Sequence, residues 1–137
     1  MTMPKTPLLT TDCVMFDVEA RVVLIRRKNE PFKGAYALPG GFVDIGETTE
    51  AACRREVLEE AGMVVDRLYL VGVYSEPSRD PRGHAVSVAY TTRFSEPPNP
   101  TAGSDAEAAE WVKEWRTKQL AFDHAVIIAA AEKMCSD

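Results

Sequence analysis

Gly41-Phe42-Val43-Asp44-Ile45-Gly46-Glu47-Thr48-Thr49-Glu50-Ala51-Ala52-Cys53-Arg54-Arg55-Glu56-Val57-Leu58-Glu59-Glu60-Ala61-Gly62-Met63 carries most of what this chain discloses about itself. No glycine or proline interrupts Thr48 to Ala61, Gly62 follows as a stop, and Glu47 and Glu50 sit where the helix dipole favours acids. A helix over Thr48–Ala61 is the expectation. At about 100° per residue, Glu59 and Glu60 fall on either side of Glu56, and all three lie within an arc of about 100°. Ala51, Val57, Leu58 and Ala61 are expected on the opposite face, ready to dock on a sheet. Glutamates four residues apart repel by a few tenths of a kcal/mol in isolation. A solvated acidic face tolerates that cost, but hard cations such as Mg2+ or Mn2+ would cancel it, because they take oxygen ligands. The preceding Leu38-Pro39-Gly40-Gly41 turn lets backbone approach the same place, where a carbonyl could complete a metal shell.

Outward from this helix, Cys13–Phe16 and Val22–Ile25 read as two short strands of a hairpin joined through Asp17–Arg21. Lys28–Gly34 reads as a loop and Ala35–Leu38 as a brief strand stopped by Pro39. On the other side, Met63–Tyr74 and Ala85–Phe94 have the apolar patterning of strands, with Asp80-Pro81-Arg82-Gly83 between them as a type I turn. Ser95–Asp105 is a proline-bearing loop, Glu110–Trp115 a short strand, and Asp123–Cys135 an alanine-rich helix with Asp123 as its cap. Strands mixed with two helices give an α/β layered domain, and residues 1–137 are read as one domain.

With 45% hydrophobic and 27% charged residues the composition is that of a globular protein. Sixteen basic against twenty-one acidic side chains leave a net charge of -5, which argues against nucleic acid as partner. The longest apolar run, Ala125–Ala131, is too short to span a bilayer, and the first residues lack a signal-peptide core. Cys13, Cys53 and Cys135 form no metal or redox pairing pattern, so a reducing cytoplasm is the expected setting. His84 and His124 stand far apart with no cysteine nearby, which disfavours zinc.

Gly41, Glu47, Arg55, Glu56, aliphatic Val57, Glu59, Glu60, Gly62 and aliphatic Met63 match the Nudix hydrolase box at every defined position. The resemblance implies an α/β/α sandwich with a mixed sheet, and hydrolysis of a nucleoside diphosphate linked to another group. It also implies that Glu56, Glu59 and Glu60, with the Gly40 carbonyl, hold Mg2+ (Mn2+ being the alternative). Arg55 would orient the glutamates by a bidentate salt bridge, and Glu47 would support the metal network. The family often draws a general base from a late loop, where Asp105 and Glu107 are the candidates here; a glutamate of the box is the alternative. It also suggests a homodimer.

Substrate contacts are less sharply marked. Arg79 and Arg82 flank the expected turn and could grip phosphate or ribose oxygens, with Arg27 and Lys33 behind them. Phe32, Tyr36 and Tyr74 are candidates to stack on an adenine, although each is more at home in a core, and His84 could touch the ligand. Trp111 and Trp115 are assigned to packing. Pro77, fifteen residues beyond Gly62, resembles the proline of family members that act on ADP-ribose, as do the surrounding Tyr74–His84 segment and Leu120-Ala121-Phe122-Asp123-His124. Three readings follow: hydrolysis of ADP-ribose to AMP and ribose 5-phosphate; a housecleaning pyrophosphohydrolase acting on nucleoside triphosphates; and a non-catalytic module that senses ADP-ribose.

Overall fold

The computed structural model describes residues 2–135. Its elements in chain order are β1 (Leu8–Asp17), β2 (Val22–Arg27), β3 (Tyr36–Ala37), β4 (Gly40–Phe42), α1 (Thr49–Ala61), β5 (Tyr69–Tyr74), β6 (Ala85–Phe94), β7 (Ala106–Val112), a short 3-10 turn at Trp115–Thr117, and α2 (His124–Cys135). The strands form one mixed sheet. β1 runs parallel to β6 over its whole length and antiparallel to β2 and β4, which share its other side. β2 also pairs with β3 and β7, and β5 closes the far edge against β6.

Alternation along β1 explains the layers. Cys13 and Met15 point to one face, where Cys53, Val57 and Ala61 of α1 cover them. Val14 and Phe16 point to the other, against Ile127, Ile128 and Ala131 of α2. A sheet apolar on both faces must be covered twice, and the outcome is the expected α/β/α sandwich. Trp115, 4% exposed, belongs to the α2-side core, as its assignment to packing anticipated.

Several boundaries differ from the sequence reading. β1 begins five residues before Cys13, because the polar Thr10-Thr11-Asp12 hides a segment whose backbone pairs with both β4 and β6. Of Met63–Tyr74 only the second half is strand. The late strand begins at Ala106 rather than Glu110, and Trp115 lies beyond it. The docking face of α1 is Ala52, Cys53, Val57 and Ala61, while Leu58 is 54% exposed. At α2 the Asp123 backbone carbonyl accepts from Val126 and Ile127, while its carboxylate is bound to Arg79.

Candidate active site

The ends of α1 are fixed by local chemistry. The Thr48 hydroxyl accepts the Ala51 amide at 3.1 Å, and Gly62, at φ 63°, donates its amide to the Leu58 carbonyl. The resulting helix lays its glutamates against β4, and Gly41 is the contact point: a Cβ there would sit 2.6 Å from the Glu56 carboxylate. A side chain there would have to displace that carboxylate.

Arg55 organises the acids. Its Nε and Nη2 donate to the two oxygens of Glu47 at 2.7 and 2.8 Å, Nη1 donates to Glu56 at 2.7 Å and to Glu59 at 3.4 Å, and Nη2 also reaches the Phe42 carbonyl. The bidentate partner is therefore Glu47 rather than a helix glutamate. Glu47 is locked twice over, since Oε1 also accepts the Asp44 amide. The Arg55 guanidinium, followed by that amide, holds its carboxyl down to about 2. With both oxygens committed, Glu47 is set to support the site from beside it.

Glu56 and Glu60 line a cleft of about 470 Å³ together with Arg27, Gly40, Gly41, Arg82 and Asp105. Burial, and then the charge of Glu56, pushes the Glu60 carboxyl up to about 9. Glu56 is also raised, by burial and by Glu59, although Arg55 opposes the shift. Two half-buried carboxylates that repel one another favour either a proton or a cation between them. Among the described residues no three acidic, imidazole or thiol groups are already closed around one point. The donor set is nevertheless all oxygen, charged and open to a cleft, which fits a hard divalent ion.

Asp105 reaches this cleft through packing on the end of α1. The Thr101 and Gly103 amides donate to the Ala61 and Glu60 carbonyls, which the helix itself leaves unpaired. Gly103 lies so close to the Glu59 carbonyl that no side chain fits there. Glu107, by contrast, lies within β7, is exposed, and does not line the cleft.

The two turn arginines part company. Arg79, 5% exposed, gives its fork to Asp123 at 2.7 and 2.9 Å. Arg82, 49% exposed, is paired with Asp80 but lies over the rings of Phe42 and Phe122 at the cleft. Arg27 also lies over Phe122, at 5.1 Å, and donates to the Pro31 carbonyl. Phe32 packs edge-on against Phe122 at 4.9 Å. Pro77 is exposed on its turn and does not line the cleft. Tyr36 binds Glu110, and His84 binds the Ser75 carbonyl.

Asp12 was not picked out from sequence, and Phe122 and His124 only within the Leu120–His124 segment and with no role given, yet all three line a small cavity that adjoins the cleft. The signals available were an acid directly before the apolar Cys13–Phe16 run and an aromatic and a histidine at the entry to an apolar helix. A second large cavity, of about 480 Å³ beside the end of α2, has no acidic cluster, and its Glu132 is paired with Arg116.

The NUDIX domain profile matches residues 6–131, which include every residue of this site. The ADP-ribose pyrophosphatase of Methanocaldococcus jannaschii is 44% identical over 122 residues, covering 89% of this chain and 71% of that protein. The ADPR responsive transcriptional repressor NtrR of Acinetobacter baylyi is 35% identical over 126 residues, or 87% of this chain, but this chain spans only 50% of the repressor. Among solved structures, the NUDIX domain of Shewanella oneidensis NrtR complexed with ADP ribose has a TM-score of 0.89 at 31% identity, covering 96% of this chain and 90% of that one. Profile, fold and glutamate helix agree: the chain belongs to the Nudix family, among its pyrophosphohydrolases.

Proposed function

We propose that this chain hydrolyses ADP-ribose to AMP and ribose 5-phosphate with the help of a divalent cation, Mg2+ or Mn2+. The observation that carries the reading is the cleft itself, where two half-buried glutamates and two arginines line a space open to solvent. Glu56, Glu59, Glu60 and the Gly40 carbonyl would hold the cation, which supplies positive charge to the diphosphate and makes water easier to deprotonate. Arg55 orients Glu56 and Glu59, and Glu47 in turn fixes Arg55. Arg82 and Arg27 receive the second phosphate or the terminal ribose, and Phe122, with Phe32 behind it, offers an apolar wall. Water adds to one phosphorus, the bridging P–O bond breaks, and each product leaves as a phosphate monoester.

Relatives of both kinds support ADP-ribose as ligand, one a hydrolase and one a repressor. The repressor also keeps alive a second reading, binding without turnover. No helix among the described residues is long and apolar enough to cross a membrane. The deciding experiment incubates the chain with ADP-ribose and with nucleoside triphosphates, each with Mg2+ or Mn2+, and identifies the products. AMP plus ribose 5-phosphate supports hydrolysis of ADP-ribose, nucleoside monophosphate plus pyrophosphate supports the triphosphate reading, and saturable binding without product supports the sensor.

Arg82→Ala gives a sharper check on the substrate. The side chain is half-exposed at the cleft, paired with Asp80 and lying over the rings of Phe42 and Phe122, where a phosphate can reach it. The Michaelis constant for ADP-ribose should rise by about ten- to a hundredfold, and by less for a triphosphate. Equal effects on every substrate would remove Arg82 from recognition of the distal ribose phosphate. Arg79→Ala should behave differently, lowering the melting temperature, because it leaves Asp123 without its guanidinium partner.

A further inference from the structure

Two buried polar side chains beside the cleft have no part in the chemistry assigned so far. Asp12 on β1 and His124 at the start of α2 are 7% and 4% exposed, and polar groups so deeply buried normally have partners. The Leu38 amide donates to His124 Nδ1 at 2.9 Å. A ring nitrogen that accepts carries no proton, so the neutral imidazole bears its hydrogen on Nε2, which lies 3.3 Å from Asp12 Oδ1. The Ser87 hydroxyl donates to Asp12 Oδ2. Asp12 lies opposite Gly40 in the β1–β4 register, so close that a Cβ on Gly40 would sit 2.7 Å from Asp12 Oδ1.

Three consecutive residues are thereby pinned. Leu38 is held by His124, the Pro39 carbonyl accepts the Cys13 amide at 2.9 Å, and Gly40 packs against the Thr11 carbonyl and Asp12, the groups a Cβ there would meet first. Antiparallel alternation then decides where Gly40 points. The Cys13–Pro39 and Leu9–Val43 hydrogen bonds cross the gap between β1 and β4, so Asp12–Gly40 is a pair without mutual hydrogen bonds. The Gly40 carbonyl is directed away from β1, at the border of the cleft.

We propose that His124 and Asp12 are positioning residues that fix the Gly40 carbonyl for cation binding, with His124 acting through the Leu38 amide. The inference rests on the metal-dependent reading above. Groups that orient a metal ligand commonly change metal affinity by about ten- to a hundredfold when lost.

The test is Mn2+ binding to the full chain, followed by the electron spin resonance signal of free Mn2+, with thermal melting in parallel. In His124→Asn the side-chain oxygen takes the place of Nδ1 and still accepts from Leu38. In His124→Gln the amide nitrogen takes the place of Nε2, keeping Asp12 as partner and leaving the Leu38 amide unpaired. The Asn variant is expected to bind Mn2+ within about threefold of the wild type, and the Gln variant about tenfold more weakly. A residue needed only for stability would alter the melts without producing this order. Equal affinities in the two variants, or the reverse order, overturn the proposal. Should a His124 variant not fold, Asp12→Ala removes the side chain opposite Gly40 while leaving His124 on the Leu38 amide, and wild-type affinity there also overturns it. A wild-type chain that takes no Mn2+ removes the metal-dependent reading and this inference together, whereas wild-type binding with equal variants removes the inference alone.

Discussion

Glu60→Gln is expected to lower turnover of ADP-ribose by on the order of a thousandfold while making the metal-free protein more heat-stable. The first effect follows from the loss of a charged oxygen donor at the centre of the cleft, worth several kcal/mol of transition-state stabilisation. The second follows from burial, the leading cause of the high Glu60 pKa, followed by the neighbouring Glu56 charge. In the folded metal-free chain this carboxyl titrates near 9 rather than at its ordinary 4.5, so the folded state retains a proton that the unfolded state releases. Stability from that proton is complete below 4.5 and is lost as the pH rises through about 9. The amide has no such titration. The melting temperature of the variant, measured with a chelator, should therefore exceed that of the wild type by a margin that widens from about pH 5 to about pH 9. Glu56→Gln should lose activity comparably, since Glu56 shares the cleft and its carboxyl is also raised. A folded Glu60→Gln protein with wild-type turnover in Mg2+ would remove the glutamate from the metal site.

What made the glutamate helix legible is that its information is local. Thr48 and Gly62 terminate it within the segment itself, and helical spacing alone brings Glu56, Glu59 and Glu60 to one side. The hairpin from Cys13 to Ile25 was legible for the same reason, because alternation and a short connection suffice. Residues that owe their place to distant partners were not. Asp12 becomes a site residue only when β1 meets β4, β6 and the start of α2, through Gly40, Ser87 and His124. Arg79 and Arg82 look alike on the turn, and Asp123, 44 positions beyond Arg79, is what turns one of them inward. Leu58, expected in the core, is exposed because the buried stripe of α1 runs through Cys53, Val57 and Ala61 and leaves no room for a neighbour one step further round.

Asp105→Asn is expected to lower turnover by about a hundredfold or more while leaving Mn2+ affinity nearly intact, and Glu107→Gln to have little effect. The two acids were equivalent candidates in the sequence, two residues apart in Gly103-Ser104-Asp105-Ala106-Glu107. Their surroundings separate them. Gly103 docks on the carbonyls at the end of α1, and the loop then carries Asp105 to the cleft that holds Glu56 and Glu60. One residue later the chain enters β7, where Ala106 is buried and Glu107 faces solvent away from the cleft. An acid that takes a proton from attacking water must reach the cleft without being consumed as a ligand, and of the two only Asp105 meets the first condition. Turnover and Mn2+ binding measured on the same samples decide between the loop and the helix as source of the base. Loss of turnover alone assigns it to Asp105. Loss of both makes Asp105 a ligand instead, and near-normal turnover in Asp105→Asn returns the task to a glutamate of α1.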